Sequence, residues 1–421
     1  MDAEENERGS SQNSGDLKIG HGRSGVTSIP KVQLAASVFF MFLAVLIGIF
    51  RLMNLHSINI YPIFLTALYQ LHPNIMVYGF LAPIVMTERL VGMKTLHTGR
   101  IYSLSATLMV PATLIGLILQ IGGFVSEQPV LISAGGGIIF LGLILFIILM
   151  FGLSMKTGLK LPFYLMILSV IPVADFALLS VRSIEVDGMP DSLLLMLFPI
   201  LFILGERVEL SRFVSGNLER YGKYVLSLGI LVVLLTVMLA NFQFSMNLSM
   251  MISLVTFALL FVAGGLTMFL EAKNLIHVSR STSPLQKYVS KHVMVAYAWL
   301  MVGCAFGVAY SIQAPGFIYD AVIHSLMVGY VGSMLLAHGP VILPTVTGRK
   351  INQSTLTLIP LILILVSNVF RISGDFQLGG VIQAIVSFAS GISGWLVLVA
   401  VLVFLRSLVF SKPLIQSGPV L

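Results

Sequence analysis

The 421-residue chain has one cysteine and very little charge. A single thiol, Cys304, excludes an intramolecular disulfide and a thiolate metal cluster. Only 10% of the residues are charged while 57% are hydrophobic. A soluble domain carries roughly a quarter charged residues to cover its surface, so this composition excludes an ordinary soluble enzyme. There is no phosphate-binding glycine loop, no nucleophile elbow and no paired histidine–glutamate zinc motif, which argues against ATP hydrolysis. The short alternating segments of a membrane β-barrel are also missing.

What the chain has instead is long apolar runs. Runs of about 18 residues or more cross the roughly 30 Å hydrocarbon layer as helices. The pattern predicts an all-α, polytopic transmembrane bundle of about twelve helices, at 33–53, 72–91, 101–121, 130–153, 162–182, 192–207, 224–241, 248–270, 292–312, 320–342, 355–371 and 381–406. Residues 57–70 are too short to span, and suit an interface where Tyr61 and Tyr69 are at home. Residues 1–30 are polar and mixed in charge, and are expected to be a disordered cytoplasmic tail rather than a cleaved signal. Residues 31–410 then form one domain, and 411–421 a short C-terminal tail. Glycine clusters at 135–137, 264–265 and 391/394 suit close helix–helix approach.

Orientation follows from the basic residues. With the N-terminus inside, every Lys and Arg except Arg51, Arg182 and Arg371 falls on the cytoplasmic side, and the C-terminus lies there too. This asymmetry accounts for the net charge of +7 without nucleic acid. The bilayer is the expected partner and the cell membrane the expected location, with both termini cytoplasmic.

Ionisable groups inside a bilayer are costly, so they are functional candidates. His72 opens the second helix at its outer end, and His324 lies one turn inside the outer end of the tenth. Met76 shares a helix face with His72 at i, i+4. Imidazole and thioether both serve haem iron, and thioether also suits Cu(I). Asp320, four residues before His324, either orients that ring or caps its helix. Arg51, Arg182 and Arg371 cap outer helix ends and could meet haem propionates. His338 and His292 lie inward, and His338 is expected on the same face as His324, roughly 21 Å along the axis. Gly329 and Gly332 would let a flat macrocycle approach that helix. His21, His56, His97 and His277 read as interfacial. Glu88–Arg89 and Glu206–Arg207 are expected to be ion pairs at the interface. Asp175, near Pro172, is the candidate proton-handling acid.

Residues 323–334, IHSLMVGYVGSM, resemble the signature of the NnrS family of membrane proteins through His324, Leu326, Val328, Gly329, Gly332 and Met334. Thr347-Gly348-Arg349 is similar to the Thr-Gly-Arg that follows it in the family. HPNIMVYGF resembles the family's His-x-His-x-Met-x-x-Gly-Phe run through His72, Met76, Gly79 and Phe80, with Asn74 in place of the second histidine. LGERVEL (204–210) is loosely similar to a third element, through Gly205, Arg207 and Val208. The resemblance implies haem b and copper, a small diatomic ligand such as nitric oxide, and a role in nitrosative stress. His72 and His324 would be axial ligands, and His338 with His292 would hold a second haem or a copper. A weaker likeness to the catalytic subunit of haem–copper oxidases fails on the middle helices, which hold no paired histidines. Two rival expectations stand beside this one. One is a cofactor-free, proton-coupled secondary transporter using Asp175. The other is a haem b electron-transfer or structural subunit of a respiratory complex, with a redox partner protein.

Overall fold

The computed structural model describes residues 29–55, 68–92, 100–179, 188–211, 218–312, 318–347, 357–376 and 380–409. The expected tails, most of the 57–70 segment, and His21, His56, His97 and Arg182 lie outside the described residues. Among the described residues every regular element is helical. The rods are α1 (Ile29–Leu55), α2 (72–92), α3 (Arg100–Val125), α4 (Pro129–Thr157), α5 (Lys160–Leu179) and α6 (Gly188–Ser211). They continue as α7 (Leu218–Asn241), α8 (Met246–Ser279), α9 (Pro284–Ile312), α10 (319–347), α11 (Ile359–Asp375) and α12 (Gly380–Val409).

Ten of these rods are long and apolar enough to cross a membrane. Their outward faces carry large apolar side chains, Val130, Phe388 and Val381 among the most exposed. That distribution suits a multi-pass membrane protein, whose outer surface meets lipid rather than water. α11 is apolar but shorter. α6 is different again: every residue from 192 to 208 is buried. A helix that is apolar all round belongs inside a bundle, and α6 packs against α5, α7, α8 and α10.

Close backbone approach holds the outer rods together. A Cβ on Gly116 of α3 would stand 2.6 Å from the Gly135 carbonyl of α4, and one on Gly135 would stand 2.5 Å from the Gly116 carbonyl. Such mutual exclusion lets two backbones touch, as small residues do in lipid. Gly137 and Gly265, from the same clusters, face open space.

Two helices outrun their apolar stretches. α8 continues past 270 to Ser279, and α9 begins at Pro284, ahead of 292. The added turns contain Glu, Lys and Gln, which are good helix formers at a polar end. The hairpin between them turns within 280–283. His292 therefore sits two turns inside α9, fully buried, rather than at its start.

Candidate functional site

α2 and α10 depart from α-geometry in the same way. Each begins as a short α-helical turn, passes into an i→i+5 stretch (Ile75–Leu81 and Ser325–Gly332), and then resumes. Such π segments are uncommon and frequently mark functional sites. Each follows directly on a candidate ligand turn, after His72 in one helix and after His324 in the other.

A cavity of about 330 Å³ opens between these turns. Arg51, His72, Met76, Asp320 and His324 all line it. Residues brought from α1, α2 and α10, far apart in sequence, thus meet at one end of the bundle. Met196 of α6 and Met327 of α10 add two more thioethers to the wall. Tyr319 closes the side toward α6, with its hydroxyl 2.5 Å from Ser192 Oγ and donating to the Gly188 carbonyl at 3.3 Å.

Both imidazoles are oriented by backbone. His72 Nδ1 lies 2.9 Å from the Ala44 carbonyl of α1, and His324 Nδ1 lies 3.0 Å from the Asp320 carbonyl one turn back. A carbonyl only accepts, so each Nδ1 carries a proton, and in the neutral ring Nε2 then presents its lone pair. That is the tautomer a metal ligand needs, and anchoring of the opposite nitrogen is the usual second-shell device. Gly48 makes room for it: a Cβ there would stand 3.0 Å from the His72 ring. The Asp320 carboxylate approaches His324 Nδ1 at 3.3 Å, while its other oxygen meets Arg371 Nε at 2.7 Å. Arg371 is thereby engaged by Asp320, and Arg51 is the cavity-lining guanidinium.

Other candidates lie elsewhere. His338 and His292 do not line the cavity. The π stretch between His324 and His338 breaks the α-helical register on which their shared face rested. His338 Nδ1 bonds the Met334 carbonyl at 2.9 Å, and His292 Nδ1 bonds Tyr288 at 2.7 Å. Gly329 is not open to a macrocycle, because a Cβ there would stand 2.6 Å from Trp299 and 2.8 Å from Asn368. Asp175 sits at the rim of α5, where the Asn241 amide of α7 donates to it at 2.7 Å. Asn74 is fully buried with no hydrogen-bond partner for its amide.

The far end of the bundle holds a second polar group. The expected pairs between sequence neighbours do not form; the charges pair between helices instead. Arg89 of α2 meets Glu206 at 2.6 Å and Glu209 at 2.9 Å, both on α6. Arg207 of α6 meets Glu271 of α8 at 2.8 Å, and the Tyr297 hydroxyl of α9 donates to Glu271 at 2.8 Å. Adjacent helical residues point about 100° apart, so Glu206 and Arg207 reach different neighbours. These groups are buried rather than interfacial.

The sequence reading missed Gly48, Ser192, Met196, Tyr319 and Met327. Only Met327, at i+3 from His324, carried a local signal. Among the described residues no three His, Cys, Asp or Glu side chains gather to hold a metal ion. A metal in the cavity would take further ligands from a macrocycle or from the thioethers.

One family model, described as a domain of unknown function (DUF8744), matches residues 32–412. No curated protein matches the chain.

Proposed function

The chain belongs to the DUF8744 family along nearly its whole length, and we propose, from its cavity, that it is a haem-binding membrane protein handling a small diatomic such as nitric oxide. The carrying observation is that His72 and His324 line one cavity with both Nδ1 atoms anchored on backbone carbonyls. The residues fit a haem. The volume lies within the roughly 300–1,000 Å³ of small-molecule sites, imidazoles are haem ligands, and Arg51 would offer a partner for a carboxylate. Haem bound there would supply one-electron chemistry, and diatomic binding would require one of the two imidazoles to give up its place. The protein would fix the two rings, place a guanidinium by the propionates and exclude bulk solvent with Tyr319 and the methionines. The resemblance to the NnrS family supports the same reading.

In the membrane we propose twelve crossings, with both termini cytoplasmic and the cavity at the outer face. The distribution of Lys and Arg supports this. An outer cavity would receive a ligand or a redox partner from that side.

One observation favours a second reading. Met76, Met196 and Met327 share the cavity with both histidines, and thioether with imidazole is a donor set for Cu(I). A reduced-minus-oxidised spectrum of the purified protein, with iron and copper assayed together, separates the two. Sharp reduced α and β bands with about one iron per chain support haem. Copper without iron supports the second reading. A colourless, metal-free protein from haem-replete cells sinks both and favours a cofactor-free transporter. His72→Ala and His324→Ala should each abolish the haem signal, and unchanged haem in both would refute the ligand assignment.

A further inference from the structure

Buried polar groups in a folded protein are satisfied, and an orphaned one calls for ordered water. Such atoms occur on several helices here, and α10 carries a group of them. Ser325 Oγ, Tyr330 Oη and Ser333 Oγ are buried with no hydrogen-bond partner, and all three lie on α10 between the cavity and the far charge group. The amide of Asn368 on α11, against Gly329, is orphaned too.

The first two share a face. Ser325 and Tyr330 are five residues apart within an i→i+5 stretch, so they stack one turn above the other. That face meets α9. A Cβ on Gly303 of α9 would stand 3.2 Å from Ser325 Cβ, and the Tyr330 ring lies 6.5 Å from the Tyr297 ring of α9. Tyr297 in turn donates to Glu271, which pairs with Arg207. Ser325 follows His324 directly in the chain and faces α9. Ser325, Tyr330 and Tyr297 thus lie along the α9–α10 seam, between the turn that carries His324 and the buried carboxylate of Glu271.

Among the described residues, Glu206 and Glu209 pair with Arg89 and Glu271 pairs with Arg207, and Glu88 adds a further carboxyl within their field. His338, also within the field of Glu206 and both arginines, keeps an unpartnered Nε2.

We propose that the α9–α10 seam is a hydrated proton path, leading from the carboxylate group around Glu271 to the histidine cavity. Each hydroxyl or water accepts one proton and passes its own to the next, so the path itself is unchanged after each transfer. The π stretch of α10 places Ser325 and Tyr330 on one line, and the water completes the gaps between them. The seam rests on the haem reading only for what lies at its cavity end.

Two measurements test it. The first is X-ray footprinting of the full-length, detergent-solubilised protein in ¹⁸O-labelled water, which marks side chains that touch bound water. Tyr330 and Tyr297 should be labelled despite complete burial. Labelling of exposed Tyr224 with neither of them would show a dry seam and overturn the proposal. The second is proton uptake after photoreduction of the haem-loaded protein, followed with a pH indicator. Tyr330→Phe keeps the ring and its packing, and should slow uptake about tenfold or more at equal extent of reduction. An unchanged rate in Tyr330→Phe would also overturn it. A colourless protein would sink the haem reading and leave the footprint to decide the seam alone.

Discussion

At the scale of single residues, Asp320 meets its neighbours in two ways. Its backbone carbonyl lies 3.0 Å from His324 Nδ1, and its carboxylate reaches both that nitrogen, at 3.3 Å, and Arg371. These roles respond differently to substitution. Asp320→Asn keeps the carbonyl but leaves a largely buried guanidinium without its anion. We expect a loss of about 1–3 kcal/mol in stability, the penalty of leaving a buried polar group without its partner, with haem content nearly retained. Thermal unfolding and iron per chain on the same sample measure both. Iron lost as fully as in His324→Ala would mean that the carboxylate, not the carbonyl, orients the ring. Arg371→Gln added to Asp320→Asn should return part of the stability, since it removes the unpaired charge. Gly48 makes the complementary point on α1. Its missing side chain is what admits the His72 ring, and no local pattern in α1 announces it.

At the scale of elements, the two π stretches are what the sequence concealed. Apolar runs revealed the rods because hydropathy acts over a whole helix. An i→i+5 turn changes only which neighbours each side chain meets, and leaves hydropathy untouched. So His72 and Met76 were legible as an i, i+4 pair, whereas the face shared by His324 and His338 was not there to be read. Charge pairing failed for a related reason: Glu206–Arg207 looks like a pair along the chain, but the partners stand on α2 and α8. Tertiary packing also distinguishes two glycines that read alike. A Cβ at Gly329 would collide with Trp299 and Asn368, whereas at Gly332 its nearest neighbours stand at 3.7 and 4.0 Å. Gly329→Ala should therefore cost about 1–3 kcal/mol, as overpacking does, and Gly332→Ala should be close to neutral. Equal effects on thermal unfolding would show that the tight packing around the α10 π stretch is not what Gly329 secures.

At the scale of the molecule, the open question is how many rods cross. The proposed topology has twelve crossings, while ten rods qualify by length and composition. The difference lies in α6 and α11. α6 is buried from 192 to 208 because other helices wrap it, so its lack of a lipid face says nothing against crossing. Cysteine labelling decides the case, because the native thiol, Cys304, is fully buried and gives little background. Ser126 lies between α3 and α4, Gln243 between α7 and α8, and Thr282 between α8 and α9, and all three are exposed or near exposed turns. From Ser126 to Gln243 the chain traverses α4, α5, α6 and α7. If α6 crosses, Ser126→Cys and Gln243→Cys share a side; if it does not, they lie on opposite sides. From Gln243 to Thr282 only α8 intervenes, so Thr282→Cys must face the other way. We expect an impermeant maleimide on intact cells to label Ser126→Cys and Gln243→Cys, and Thr282→Cys only after permeabilisation. Ser126→Cys and Gln243→Cys reacting from different sides would remove α6 from the count and invert every crossing after it. The His324 end of α10 would then face away from the His72 end of α2, which the shared cavity forbids. The labelling and the cavity must therefore agree, and the side on which Ser126→Cys reacts is the side from which a ligand reaches His72 and His324.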